Sequence, residues 1–133
     1  MLTIRRAVAV SLFALAAAGL AAPVAAQEAG VAVEAVIARD VVDREPVDAG
    51  TVFPADVGRL FCWMRVQGAE AGTVLEHVWK FAGYEWVVPL QIGGTHWRTF
   101  SNKVIVPEWK GEWTIEIRDA TGTVLETLTF TVQ

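Results

Sequence analysis

The chain has 133 residues, 53% of them hydrophobic, with 11 basic and 15 acidic residues and a net charge of −4. Two of the arginines lie in the first ten residues, so the rest of the chain carries nine basic residues, only three of them lysines, against fifteen acidic ones. This balance excludes the basic surface with which proteins bind nucleic acid or anionic lipid, and we expect neither as a partner.

The first segment, residues 1–26, has the pattern of a secretory signal peptide. Arg5 and Arg6 precede an uncharged apolar run that ends near Leu20, and small residues follow as far as Ala26. The run is too short and too rich in alanine to favour a stable membrane span, which needs about 20 residues. We therefore expect cleavage after Ala26 and export to the bacterial periplasm or the medium. Retention as an uncleaved membrane anchor is the alternative.

Residues 27–133 are predicted to form a single domain. Cys62 is the only cysteine of the chain, so no intramolecular disulfide can form. It stands among apolar residues in the stretch LFCWMRV, where a buried thiol packs as a small hydrophobic side chain.

From Val31 onward the pattern is that of β-strands. VAVEAVIARDVV alternates apolar and polar residues, whereas REPVDAGTVFPADVG is broken by prolines and glycines and predicts a connection, with at most a short edge strand at Thr51–Phe53. Further strands are predicted in RLFCWMRV, TVLEHVWKF, YEWVVPLQI, HWRTFSNKVIV, EWTIEIR and VLETLTFTV. About seven strands at this spacing predict an all-β fold, a two-sheet antiparallel sandwich of the immunoglobulin-like kind.

The last two strands give the clearest assignment of faces. Side chains alternate between the two sides of a strand, so the apolar and polar residues of this hairpin separate onto opposite faces. The predicted inward set is Trp113, Ile115, Ile117, Leu128, Phe130 and Val132.

Several blocks of the chain, in this order, resemble a bacterial family, the domain-of-unknown-function family DUF2914. They are REPV, FCWMRV, EHVWKFAG, VPLQIGGTHWRTFSNK, PEWKGEWTIEI and VLETLTFTV, which together run from about Arg44 to Val132. The G-G-x-x-W-R-T block at Gly93–Thr99 and the P-E-W-x-G-E-W block at Pro107–Trp113 are the most specific. The resemblance implies a compact β module of envelope or secreted proteins, and it implies no activity, cofactor or catalytic residue.

Six tryptophans are many for so small a domain. Trp79 and Trp113 lie in strong strand patterns and are predicted in the core. Trp97 and Trp109 lie beside glycine- or proline-bearing connections, where partial exposure is expected. An exposed indole can stack on the C–H face of a sugar ring, but the same indoles can also fix loops to the ends of the sandwich.

Charged and polar neighbours of these tryptophans supply the remaining candidates. Arg98 can bind a carboxylate or phosphate through its fork of donors, or it can pair with a local carboxylate such as Glu108 or Glu112. His96 is predicted to be exposed, whereas His77 alternates with apolar residues and is predicted to be a hydrogen-bonded core residue. Two histidines without a pattern of further ligands are a weak metal signal, and no metal or cofactor is expected.

Catalytic patterns are absent from the sequence. It has neither a G-x-S-x-G nor an H-E-x-x-H motif, and its one serine after residue 26 is Ser101. Glu108 and Glu112 are the nearest approach to a pair of carboxylates for glycoside cleavage, but a small sandwich seldom holds a deep cleft.

We therefore expect an exported, non-catalytic binding module of the cell envelope. Its predicted ligand is a glycan or another envelope component, and its predicted binding residues are His96, Trp97, Arg98 and Trp109. A domain for protein–protein interaction or assembly is the alternative, and a small hydrolase is disfavoured.

Overall fold

The computed structural model describes residues 30–133, and every helix or strand element in that range is a strand. The predicted signal peptide and its cleavage point lie outside the described residues. In chain order the strands are β1 (Ala32–Val42), β2 (Glu45–Ala49), β3 (Val52–Phe53), β4 (Gly58–Gln67), β5 (Val74–Phe81), β6 (Tyr84–Gln91), β7 (His96–Ile105), β8 (Gly111–Asp119) and β9 (Val124–Val132). In this part of the chain no helix is long and apolar enough to cross a membrane.

The strands form two sheets, with the orders β2-β1-β4-β7 and β3-β9-β8-β5-β6. All neighbours are antiparallel except β3, which runs parallel to the last strand, β9. The N-terminal part of the domain thus contributes strands to both sheets, β1 to the four-stranded sheet and β3 to the five-stranded sheet. The predicted all-β, two-sheet, immunoglobulin-like sandwich is confirmed, with nine strands in the described residues where about seven were expected.

The additional strand β2 belongs to a hairpin that the sequence did not predict. Asp43 and Arg44 both have positive φ, 52° and 65°, as the two central residues of a tight primed turn do. Asparagine and glycine usually mark such turns, and the Asp-Arg pair does not. The tip of this hairpin lies over the outer face of its sheet, because Trp63 Nε1 donates to the Arg44 carbonyl at 2.8 Å. Trp63 is therefore only 3% exposed although its strand turns it away from the other sheet.

The core lies between the two inner faces. Trp79 and Trp113 are fully buried, as predicted, and Trp113 stacks on Phe130 with ring centroids 5.7 Å apart. The final hairpin pairs Trp113 with Phe130 and Ile115 with Leu128, and these residues lie on the predicted inward face. Cys62 is also buried, which confirms its predicted role in packing, and burial raises the pKa of its thiol.

Candidate functional site

The buried polar residues of the core form one connected network. Trp79 Nε1 donates to Ser101 Oγ at 3.0 Å, so the serine hydrogen is free to point at His77 Nδ1, 2.6 Å away. His77 Nδ1 is then the acceptor, and Nε2 carries the hydrogen that faces Met64 Sδ at 3.2 Å. Burial lowers the pKa of His77 to about 4.

This network confirms that His77 is a hydrogen-bonded core residue. His77 is 0% exposed and Ser101 is 4% exposed, so the serine–histidine pair is enclosed by the core. To act as a nucleophile and its base, Ser101 and His77 would have to reach a substrate. Their burial in the core prevents this contact.

The four predicted binding residues fall into two groups. His96, Trp97 and Arg98 begin strand β7, and Trp97 packs against the cluster of buried residues that contains Met64 and Val66. Trp109 lies in the connection after β7 and packs against the other buried cluster, which contains Trp79 and Trp113. A strand rises about 3.3 Å per residue, so the two ends of β7, His96 and Ile105, are separated by roughly 30 Å. The structure therefore does not bring all four residues into one surface.

At the Trp109 end, four aromatic side chains line a cleft of about 200 Å³, here named the aromatic cleft: Phe81, Tyr84, Trp86 and Trp109. Tyr84 is 67% exposed, and its ring centroid lies 6.0 Å from that of Trp86. Trp86 and Trp109 are 5.6 Å apart and tilted by 36°, so their rings form two inclined walls. Below them, Trp113 stacks with Phe81 at 4.5 Å and ties the cleft to the core.

The position of the aromatic cleft follows from the unequal width of the two sheets. Edge strand β6 belongs to the five-stranded sheet and pairs only with β5, in a register that turns Tyr84 and Trp86 to the inner side. The facing sheet has four strands and ends at β7. The inner side of β6 is thus incompletely covered, and its aromatic residues remain accessible at the flank of the sandwich.

Lys103 on β7 supports the aromatic cleft from the opposite sheet. Its Nζ lies 3.7 Å from the ring centroid of Trp86 and 5.1 Å from that of Trp109. It does not line the cleft, so it holds the two indoles from behind. Partial burial lowers the pKa of Lys103, and among the described residues no carboxylate lies within salt-bridge distance of it.

At the other end of β7 lies a second cleft, of about 360 Å³, here named the arginine cleft, which is lined by Arg65, Gln67, His96, Trp97 and Arg98. In the register of β4 with β7, Arg65 is directly opposite Arg98 and Gln67 is opposite His96. These four side chains share the outer face, as expected for His96 and Arg98. Trp97 points inward but reaches the same cleft, because β7 is an edge strand.

Trp97 is closely packed on the protein itself. A Cβ atom added to Gly93 would lie 2.5 Å from the indole, so the ring rests directly on the glycine backbone. The Arg44 guanidinium lies over the same ring, 5.6 Å from its centroid. The spacing between the glycines and Trp97 in the G-G-x-x-W block is therefore explained by this packing. The contacts agree with the alternative in which Trp97 fixes a loop to the end of the sandwich.

Arg98 pairs with a different carboxylate from the two that the sequence suggested. Its Nη1 donates to Glu45 Oε1, at the start of β2. The prediction of Glu108 or Glu112 as the partner is wrong, because the β1–β2 hairpin brings a residue from far along the chain over the start of β7.

The carboxylates of the five-stranded sheet form ion pairs on its outer face. Glu116 Oε2 accepts from Lys80 Nζ at 3.0 Å and its Oε1 accepts from Arg118 Nη2 at 2.6 Å. The hydrogen bond from Lys80 and then that from Arg118 lower the pKa of Glu116. Glu112 lines an open cleft beside these residues and Glu108 does not, so the two are not brought together there. In the described residues no group of three or more His, Cys, Asp or Glu side chains is placed to hold a metal ion.

The fold and the two clefts thus define a small immunoglobulin-like sandwich with an aromatic and a basic concave surface at opposite ends of one edge strand. The sequence profile of the family described as "Protein of unknown function (DUF2914)" matches residues 72–132. This match confirms the family resemblance over the turn before β5 and strands β5 to β9, while the REPV and FCWMRV blocks precede it. No curated protein matches the chain.

Proposed function

We propose that this protein is an exported, non-catalytic binding module of the bacterial cell envelope, and that the aromatic cleft is where it binds a glycan. The observation that carries the proposal is the group of four aromatic rings around one cleft of about 200 Å³. A cleft of this size is smaller than the roughly 300–1,000 Å³ of sites that enclose a drug-sized ligand. It suits a single sugar ring of a longer chain.

The geometry of the walls supports stacking on a sugar. The C–H face of a pyranose packs on an aromatic face, and the inclined Trp86 and Trp109 rings, 5.6 Å apart, offer two such faces. Lys103 behind the indoles and Trp113 beneath them fix their orientation, so little ordering is required on binding. Of the four predicted binding residues, Trp109 is the one at this cleft.

The test is a titration of the exported chain with soluble envelope glycan fragments and neutral gluco-oligosaccharides, followed by tryptophan fluorescence and calorimetry. We expect saturable binding to at least one glycan, with an emission shift from the indoles of the cleft. Tyr84→Ala removes an exposed wall residue and should weaken binding about tenfold, if stacking contributes about 1.4 kcal/mol.

Val87→Ala is the matched control. Val87 is also exposed on β6 but points to the opposite side of the strand from Trp86 and lies outside the cleft. It should bind like the unmodified chain. Absence of binding across the panel, or equal loss in Tyr84→Ala and Val87→Ala, would contradict the proposal.

A second candidate function, docking on a protein partner, is favoured by the outer face near β7. Phe100 is 37% and Val104 48% exposed, and Phe100 contacts Phe61 with centroids 5.8 Å apart. Strand β7 is also an edge, with ten residues available for pairing. The test compares Phe100→Arg with the unmodified chain by light scattering and by crosslinking in cells. A complex or dimer that forms with the unmodified chain and is lost in Phe100→Arg supports docking. If both proteins are monomers without crosslinks, the docking function is contradicted.

A further inference from the structure

The arginine cleft contains two like charges placed face to face. Arg65 on β4 and Arg98 on β7 are direct cross-strand partners, so their Cβ atoms are about 5 Å apart. Such a pair opposes strand pairing by mutual repulsion. Glu34 and Glu45 reduce this repulsion from the two outer sides, through pairs with Arg65 at 3.3 Å and with Arg98.

These ion pairs orient the guanidinium groups without using all their donors. Arg65 and Arg98 each donate through Nη1 only, so within residues 30–133 their Nε and Nη2 groups have no protein acceptor. The Arg65 guanidinium also lies 5.5 Å from the centroid of the Trp63 ring, which is held under the β1–β2 hairpin. Two pre-oriented forks therefore border the same concave space of about 360 Å³.

The remaining polar groups extend this arrangement. Gln67 and His96 form the next cross-strand pair on this face and line the same cleft, where an amide and an imidazole can donate to an oxygen. Arg44 adds a third guanidinium beside Trp97, and among the described residues it has no salt-bridge partner. In a protein of net charge −4, two arginines thus line this cleft and a third lies over its tryptophan.

We infer that the arginine cleft is an oxyanion site, which holds one carboxylate or phosphate group of a ligand between Arg65 and Arg98. A guanidinium binds either group through two parallel hydrogen bonds, and an anion between the two would convert their repulsion into attraction. The site is separate from the aromatic cleft, and the inference does not depend on the glycan proposal.

The experiment follows the arginine Nε–H and tryptophan Nε1–H signals of the ¹⁵N-labelled exported chain by NMR. The probes are sodium glucuronate, inorganic phosphate, neutral glucose, and sodium chloride at matched ionic strength. We expect saturable shifts of the Arg65, Arg98 and Trp97 signals with an oxyanion and none with glucose or chloride. Response to both anions defines a general oxyanion site, and response to one alone identifies a sugar acid or a phosphate as the source.

Arg65→Gln and Arg98→Gln should each weaken the anion response by about tenfold or more, because each removes a charge-assisted pair of donors. Arg59→Gln is the matched control: Arg59 lies on the same strand and face as Arg65, but it bonds to Asn102 outside the cleft. Tyr84 lies outside the arginine cleft, so Tyr84→Ala should leave anion binding unchanged while it weakens glycan binding. Shifts no larger than those with chloride, or equal weakening in Arg59→Gln, would overturn the inference.

Discussion

The buried histidine makes the stability of this protein depend on pH in a window set by the burial of its imidazole. His77 is neutral in the fold because burial lowers its pKa from 6.5 to about 4. The unfolded chain binds a proton near pH 6.5 and the folded protein does not, so protonation favours unfolding. The stabilising contribution is thus fully present above pH 6.5 and is lost progressively as the pH falls from 6.5 to about 4.

The size of the effect follows from the same two pKa values. One pKa unit corresponds to about 1.4 kcal/mol, so the whole window is worth about 3 kcal/mol and the part above pH 5 about 2 kcal/mol. A small domain has about 5–15 kcal/mol of stability in total, so a loss of 2 kcal/mol is readily measured. If the measurement stops at pH 5, the effect of His77 on stability is separated from the effects of Glu116 and Asp119. Their pKa values are lowered, by hydrogen bonds from Lys80 and from Thr121 respectively, and their contributions decline only below about 4.5 and 3.8.

The assay is urea unfolding between pH 7.5 and 5, followed by tryptophan fluorescence. The unmodified chain should lose about 2 kcal/mol over this range. His77→Gln should be less stable at pH 7.5, because it disturbs the bonds to Ser101 and Met64, but its pH dependence should be nearly flat. His96→Gln, which removes the exposed histidine, should keep the full slope. An equal slope in His77→Gln and the unmodified chain would show that His77 does not govern this window.

Three further predictions concern packing and turn geometry. Gly93→Ala places a methyl group 2.5 Å from the Trp97 ring and should lower the free energy of unfolding by about 1–3 kcal/mol. Gly94→Ala is the control: its methyl group would lie in open space, so it should cost less than half as much. Equal losses of stability in denaturant titrations would contradict this packing. Lys103→Met removes the ammonium group that lies over the Trp86 ring, so it should lower the free energy of unfolding by about 1 kcal/mol and shift the tryptophan emission. An unchanged emission spectrum would argue against this contact. Ala82→Asn should raise the melting temperature, because Ala82 has a φ of 51° before Gly83 and asparagine tolerates that conformation better; a lower melting temperature would refute it.

The parts of the fold that the sequence predicts correctly depend on local alternation. The β8–β9 hairpin shows this, since the period of two places Trp113 and Ile115 inward and the short turn sets their partners. The burial of His77 follows from the same rule, because its neighbours two residues away, Leu75 and Trp79, are core residues. In these cases the strand's own pattern is sufficient.

The parts that the sequence does not predict depend on contacts between distant segments. Trp63 has the alternation of an outward residue, and only the β1–β2 hairpin folded over it explains its burial. The pairing of Arg98 with Glu45 has the same origin, 53 residues apart in the chain. The sequence does not mark Trp86 as a candidate binding residue, because its place in the aromatic cleft depends on Lys103 from the other sheet and Trp109 from a loop.

The edge position of β7 accounts for both clefts at once. In a central strand, inward and outward side chains are separated by the sheet, and Trp97 and Arg98 would lie on different surfaces. At an edge strand, inward and outward side chains can reach the same open space beside the sheet. The arginine cleft is therefore lined by the inward Trp97 as well as by outward residues such as Arg98. Seven residues after His96, the same edge carries Lys103 to the back of the aromatic cleft. The strand between them is anchored through Ser101 to His77 and Trp79, so His96 and Lys103 are held at a separation of roughly 23 Å. A ligand that carries both a sugar ring and an anionic group would have to span that distance to occupy both clefts, and shorter ligands would bind at each cleft independently.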